Sequence, residues 1–407
     1  MTLGLMASDV EQRIDFEAMR TYKLERVKKQ LEEKNLGAIV CFDPDNARYV
    51  SSTTLCEWNR DKFIRFCVMP RGGSPVIFEL GSAGAVKKQL CPWIKPENVR
   101  PGIGWLRGCS SPAGTAVMLK NCVASIKTVL EENKVLDMPL GIDICDMYIL
   151  EALKAAGIKV ANGWDALWDA RVIKCKEELQ IIETSASLVD GCWEHVVDMI
   201  RPGVRENEIV GQIYGWLLSR GADRLTGTNC VSGSRSNPHP HDFSDRYIRP
   251  GDMVFIDIMS HYLGYGTCYY RTFVTTRATQ KQKDLYKKAY EWLQAAIDVV
   301  RPGITTADIA KQWPTAEEMG YPSEIAAAGL CVGHGIGLSI HEKPQISRLF
   351  SLNDPMNIEA GMHFALETFA GEGDDGARIE SQIIVTETGH KVITQWPCEE
   401  LMVCAAR

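Results

Sequence analysis

The 407-residue sequence contains no apolar run near the ~18 residues that a membrane span needs, and no dense Lys/Arg block that would face phosphates. Charge is nearly balanced, with 45 Lys+Arg against 52 Asp+Glu for a net −7, so neither a nucleic acid nor a membrane is expected as partner. The 14 cysteines show no paired CxxC spacing, which speaks against a disulfide or zinc-ribbon framework. The first twenty residues lack the basic start and apolar stretch of a signal peptide, so a reducing cytoplasm is the expected location. What remains is an ordinary globular balance, 24% charged and 45% hydrophobic, over a length that predicts two or three domains.

Met19, Tyr22, Leu24, Val27 and Leu31 recur at helical spacing among charges, and Asn35-Leu36-Gly37 supplies a stop, so Phe16 to Asn35 reads as an amphipathic helix. Ala38 to Phe42 reads as a buried strand ended by the turn Asp43-Pro44, and Phe63 to Met69 and Val76 to Leu80 flank the turn at Pro70 to Gly73. Gly141 to Asp143, the periodic stretch Met147 to Ala156 and Lys159 to Ala161 continue the alternation. An α/β domain over residues 1–172 follows, with a second domain over 173–407. The second domain opens with a long helix through Met199 and another from Glu206 to Ser219. It also carries an internal echo: Asp198-Met199-Ile200-Arg201-Pro202-Gly203-Val204 recurs as Asp298-Val299-Val300-Arg301-Pro302-Gly303-Ile304. Each copy lies between helical segments, which points to a duplicated α+β unit whose halves face each other across a cleft.

Several chemistry-bearing residues fall in this domain. Asp257 lies near the end of the strand-like Met253 to Ile258, and Cys268 lies eleven residues on in Thr267 to Val274, so a hairpin would bring them together. His334 sits in Gly333-His334-Gly335-Ile336-Gly337, where small neighbours let a ligand approach the ring. His341 and Glu342 follow on a polar segment. Glu367 ends the strand-like His363 to Glu367, and Glu380 opens Glu380 to Val385. Asp257, His334, Glu367 and Glu380 suit a hard cation, with Cys268 as a softer fifth ligand.

The run Gly333 to Pro344, with Gly361 to Glu367 and Ile379 to Gly389, closely resembles the creatinase, prolidase and methionine aminopeptidase superfamily. The resemblance implies a pita-bread fold of α+β class with internal pseudo-twofold symmetry, preceded by an α/β domain. It implies ligands at Asp257, Cys268, His334, Glu367 and Glu380, where the superfamily has two Asp, one His and two Glu. Here the family's Asp-x-x-Arg-Thr reads Cys268-Tyr269-Tyr270-Arg271-Thr272, so the Asp that normally bridges two metals is a cysteine. One divalent ion (iron, manganese or zinc) or none is therefore expected. Phe42 to Tyr49 with Trp58-Asn59, and Ser232 to Pro238, look like parts of the superfamily's dimethylsulfoniopropionate lyases. Those lyases use an Asp after the GHGIG loop, where this chain has Ile340-His341, the hydrolase-like arrangement.

The resemblance further implies a small-molecule substrate, a homodimer, and a hydrolase that cleaves a C–N bond in a small polar or zwitterionic compound. Xaa-Pro peptidase, C–S lyase and a non-catalytic binding protein are the alternatives. With an ion present, Glu367 is ligand and proton shuttle, His341 faces the developing oxyanion and His239 contacts substrate or leaving group. Without one, His239 becomes the general acid or base, and Glu367 and Glu380 bind a cationic substrate. Trp58, Arg65, His241 and Tyr265 complete the expected substrate contacts, the arginine by reaching a neighbouring subunit's site.

Overall fold

The computed structural model describes residues 14–55, 63–102, 104 and 109–404. The chain divides into two compact units, one covering Phe16–Arg171 and the other holding Val172 onward.

In the first unit, α1 (Phe16–Glu33) buries Met19, Val27 and Leu31 along one stripe, while Tyr22 and Leu24 are half-buried on its flank. Lys23 joins the stripe because its aliphatic stem packs inward while the ammonium lies 5.6 Å from the Tyr49 ring centre. After β1 (Ala38–Cys41) the chain does not merely turn at Asp43-Pro44. It enters a helix, α2 (Pro44–Ser51), because Asp43 caps it by accepting from the Asp45 and Asn46 amides and Pro44 suits the first helical position. There follow β2 (Phe66–Pro70), β3 (Val76–Glu79), α3 (Ala83–Leu90), β4 (Val99–Pro101), α4 (Pro112–Glu132), β5 (Leu140–Ile142), α5 (Met147–Ala155), β6 (Val160–Asn162) and α6 (Trp164–Arg171). The six strands form one mixed sheet in the order β4-β3-β2-β1-β5-β6. Every residue of β1, β2 and β3 is buried, and α4 and α5 supply part of the covering core.

In the second unit, α7 (Lys176–Val196) and α8 (Glu206–Ser219) precede β7 (Arg224–Ser232), β8 (Met253–Tyr262) and β9 (Tyr265–Thr275). Next come α9 (Gln280–Asp298), α10 (Thr306–Ala310), β10 (Val332–Gly335), β11 (Glu342–Ile346), α11 (Arg348–Ser351), β12 (His363–Glu372), β13 (Asp375–Val385), β14 (His390–Val392) and β15 (Met402–Cys404). Two sheets result, β15-β9-β8-β7 and β11-β10-β12-β13-β14. The first packs its outer face on α7 and α8, the second on α9.

The repeat expected from the Arg-Pro-Gly echo is built into the backbone. Gly203 donates to the Ile248 carbonyl at 2.9 Å, and Gly303 donates to that of Ile358 at 3.0 Å. The two glycines have φ of 89° and 90°, a region costly for any residue with a Cβ, which explains why both copies keep glycine there. In the returning strands, Gly251 donates to Thr275 and Gly361, 110 positions on, donates to Val385. Both hairpins run longer than their apolar cores suggested: β8 with β9 and β12 with β13 each form a continuous antiparallel ladder. Glu367 and Glu380 therefore lie mid-strand and directly opposite each other, rather than at strand ends.

Candidate active site

The offset of 110 carries Asp257 onto Glu367, Cys268 onto Arg378 and Tyr270 onto Glu380. Asp257 faces Tyr270 across β8 and β9, as Glu367 faces Glu380 across β12 and β13. Each hairpin thus places polar side chains at the same height, and β13 packs on β9, so the two sets meet.

His334 is positioned by its glycines. A Cβ on Gly335 would lie 2.1 Å from the Lys343 carbonyl oxygen, so β10 and β11 can approach this closely only without a side chain there. The His334 Nδ1–H donates to the Ile340 carbonyl at 2.8 Å, which leaves the Nε2 lone pair facing Glu380 Oε1 at 3.5 Å. That oxygen is buried and, among the described residues, has no hydrogen-bond partner. The other Glu380 oxygen is 3.7 Å from Cys268 Sγ, which is also 3.3 Å from Asp257 Oδ1. Cys268, His334 and Glu380 offer ligand atoms within 4.8 Å of one another. Tetrahedral coordination with bonds near 2.0–2.3 Å sets donors roughly 3.3–3.8 Å apart. The donor set therefore fits a divalent ion, and the lone pairs facing each other call for a cation or a proton between them.

The electrostatics agree. Burial raises the Glu380 carboxyl well above the usual range, and neighbouring Glu367 adds to it. Asp257 is raised by burial and then by Glu380, and the Cys268 thiol by burial and then by Asp257. These are buried acids that repel one another in their charged forms. An imidazole, a thiol and a carboxylate suit zinc or iron better than magnesium or calcium.

Glu367 stands apart from this trio. Arg378 donates to Glu367 Oε2 from Nη2 at 2.6 Å and from Nε at 3.1 Å, and its Nη2 also reaches the Gly329 carbonyl. Sequence reasoning passed over Arg378, although it lies two residues before Glu380 and so on the same face of the strand. Two adjoining cavities of about 250 and 380 Å³ open onto the site and share His241, His341, Glu367 and Arg378. The His341 ring stacks on His334 at 4.2 Å, and although its surface is exposed on the cleft wall, desolvation by the surrounding groups, reinforced by His334, depresses it to about 4.

The loop after β7 carries both His239 and His241, with rings stacked at 4.2 Å. His241 lines both cavities, whereas His239 packs among Phe255, Tyr270 and Phe369 and hands its Nδ1–H to the Pro240 carbonyl. Burial, with Arg378 and His241 nearby, holds His239 down at about 2, so its ring is neutral. The buried Glu206 anchors this loop at both ends by accepting from Ser232 N and Oγ, from Arg235, and from Ser244 N and Oγ. Its own sequence neighbourhood carried no sign of that role.

Two expected substrate contacts are engaged in other bonds within the chain. Tyr265 is 2% exposed and donates its hydroxyl to Glu178 at 2.8 Å, so its polar atom is engaged away from both cavities. Arg65 pairs with buried Glu79 at 3.1 Å and donates to the Leu55 carbonyl, contacts that account for its charge within the first unit. Trp58 lies outside the described residues. None of the described cysteines is bonded to another, and no helix of the described residues is long and apolar enough to cross a membrane.

Comparison with known proteins completes the picture. The Xaa-Pro dipeptidase of Pyrococcus furiosus is 30% identical over 236 residues, which cover 57% of this chain and 65% of that protein. The dimethylsulfoniopropionate lyase DddP of Roseovarius nubinhibens is 21% identical over 406 residues, covering 96% and 88%. Among solved structures, the Xaa-Pro dipeptidase from Bacillus anthracis superposes with a TM-score of 0.74 at 22% identity, over 94% of this chain and 99% of that one. The dipeptidase PepE from Mycobacterium ulcerans gives 0.73 at 24%, over 97% and 100%. These likenesses establish the two-domain pita-bread fold. The model of metallopeptidase family M24 matches residues 180–387, the segment that holds both hairpins and the whole polar cluster, and the chain belongs to that family.

Proposed function

We propose that the chain is a hydrolase that cleaves a C–N bond in a small, dipeptide-sized or zwitterionic substrate, at a single divalent ion held by Cys268, His334 and Glu380. The observation that carries this reading is the orphaned Glu380 oxygen opposite the His334 lone pair, with Cys268 closing the third corner. Similarity to Xaa-Pro dipeptidases supports the substrate size. An ion bound there supplies Lewis acidity and a bound water of lowered pKa. Glu367, fixed by Arg378 and facing both cavities, is placed to take up a proton from water. His341, kept neutral, donates to the oxygen on which charge develops. His241, on the cleft wall, contacts the leaving group, with His239 as its stacked support.

The match to DddP over 96% of the chain favours a second reading, a lyase that removes a proton from a small sulfonium or ammonium zwitterion. The experiment that separates them measures metal per chain in protein purified without chelator, then turnover of Ala-Pro and of dimethylsulfoniopropionate in ¹⁸O-water. About one ion per chain and ¹⁸O in an acid product are expected. An unsaturated product without ¹⁸O replaces the hydrolase by the lyase, and protein that binds no ion after incubation with zinc, iron or manganese removes the metal from both.

A further inference from the structure

We propose that Tyr270 is a catalytic residue of this cleft: its phenolic O–H donates a hydrogen bond to the substrate atom on which negative charge develops. The inference rests on reading the cleft as a catalytic site, and it adds a residue that the motif Asp-x-x-Arg-Thr leaves unspecified.

The backbone position aims the side chain at the site. Tyr270 occupies on β9 the place that Glu380 occupies on β13, opposite Asp257 as Glu380 is opposite Glu367. A side chain there is delivered toward the centre of the site by the hairpin itself. Tyr270 lines the cavity of about 380 Å³ together with Asp257, Cys268, His334, His341 and Glu367.

The hydrogen bonding of the hydroxyl points the same way. Asn229 Nδ2 lies 2.5 Å from Tyr270 Oη and 3.3 Å from Asp257 Oδ2. The amide nitrogen has two hydrogens and no lone pair to offer, so Asn229, with Nδ2 turned toward both oxygens, donates to both. The phenolic oxygen is thereby an acceptor from Asn229, and its own hydrogen is not consumed. Among the described residues no acceptor receives that hydrogen. A buried hydroxyl ordinarily finds partners for its hydrogen as well as its lone pairs, and an unspent donor on a cavity wall points to a group that arrives there.

The side chain is also held rigidly. The ring is 3% exposed and is held by the Arg378 guanidinium 4.9 Å from its centre, by His239 edge-on at 5.8 Å and by Phe255 at 6.1 Å. Phenylalanine would serve these three ring contacts equally well, and the oxygen's bond from Asn229 leaves the hydroxyl hydrogen unspent. A donor fixed before the reaction begins is what stabilisation of a developing charge requires.

The test is Tyr270→Phe, which removes the hydroxyl and keeps the ring. Four quantities are compared with the wild type at equal metal loading: metal content, melting temperature, kinetics on Ala-Pro, and the dissociation constant of inorganic phosphate as a tetrahedral oxyanion probe. Metal content and melting temperature are expected to stay the same, kcat to fall by about 100-fold with KM within about threefold, and phosphate to bind about tenfold more weakly. A kcat within about threefold of wild type with unchanged phosphate affinity overturns the proposal, as does loss of the metal or of the fold, which would make the residue structural. If the wild type leaves Ala-Pro intact, the hydrolase reading fails and the phosphate titration decides for Tyr270 alone. Weaker binding by the variant then sustains the donor role, and equal binding, or no phosphate binding by the wild type, overturns it.

Discussion

Replacing Arg378 by methionine tests the electrostatic logic of the site most directly. The Arg378 guanidinium is buried, and its pair with Glu367 has side chains 2% and 9% exposed. Both bonds fall on one carboxylate oxygen, at 2.6 and 3.1 Å, and a third bond holds the Gly329 carbonyl at 2.9 Å. Methionine fills much of the same volume but leaves the Glu367 charge without a partner. Breaking one side of a buried pair costs about 3–5 kcal/mol, so Arg378→Met is expected to lose about 4 kcal/mol of unfolding free energy. Glu367→Gln keeps an acceptor for the guanidinium and is expected to cost about 2 kcal/mol. The double variant removes the orphaned charge together with its partner. Its cost is expected to fall short of the summed single costs by about 2 kcal/mol, because the two residues share their bonds. Urea unfolding of the four proteins followed by far-UV circular dichroism, with slopes compared to confirm a common transition, measures the cycle. A loss below about 1 kcal/mol for Arg378→Met, or additivity within about 0.5 kcal/mol, would show that water already reaches Glu367 and refute the reasoning.

Cys268→Asp restores a second hard ligand 3.3 Å from Asp257, and elemental analysis after loading with manganese is expected to find more metal per chain than in the wild type. An unchanged ratio would remove Cys268 from the ligand set. His363 is fully buried between the Ile336 carbonyl and Gln382 Oε1, and burial, with Lys174 nearby, depresses it to about 3. Between pH 6.5 and 3 the unfolded chain therefore holds a proton there that the folded chain does not. Stability from the neutral ring is complete above pH 6.5 and is lost as pH falls. Relative to His363→Gln, the wild type is expected to lose about 2 kcal/mol between pH 7.5 and 5.0 in urea titrations. Parallel curves would mean that the two facing acceptors outweigh desolvation.

Much of this protein could be read before its structure. The echo around Gly203 and Gly303 announced a duplicated unit because a positive φ demands the same residue in both copies. The GHGIG run announced His334, since strands that approach as closely as β10 and β11 exclude any Cβ at Gly335. Glu367 and Glu380 were found by motif, as were Asp257 and Cys268. What the chain did not disclose is how those groups partition. Cys268, His334 and Glu380 converge, Glu367 is drawn off by Arg378, and of the two loop histidines His241, not His239, lines the cleft.

Local pattern specifies what a residue can donate, accept or bury, and periodicity specifies which face it occupies. The sequence by itself therefore determined the two α/β and α+β units, the repeat and the inventory of acids, imidazoles and thiol. Only the tertiary structure decided their company, because Glu206 reaches Ser244 and Asn229 reaches Tyr270 across separations of 38 and 41 residues. Such contacts depend on hairpin register and on how two sheets pack. They leave no period or spacing in the chain, and the arginine and tyrosine that shape the cleft came into view only when the hairpins were set face to face.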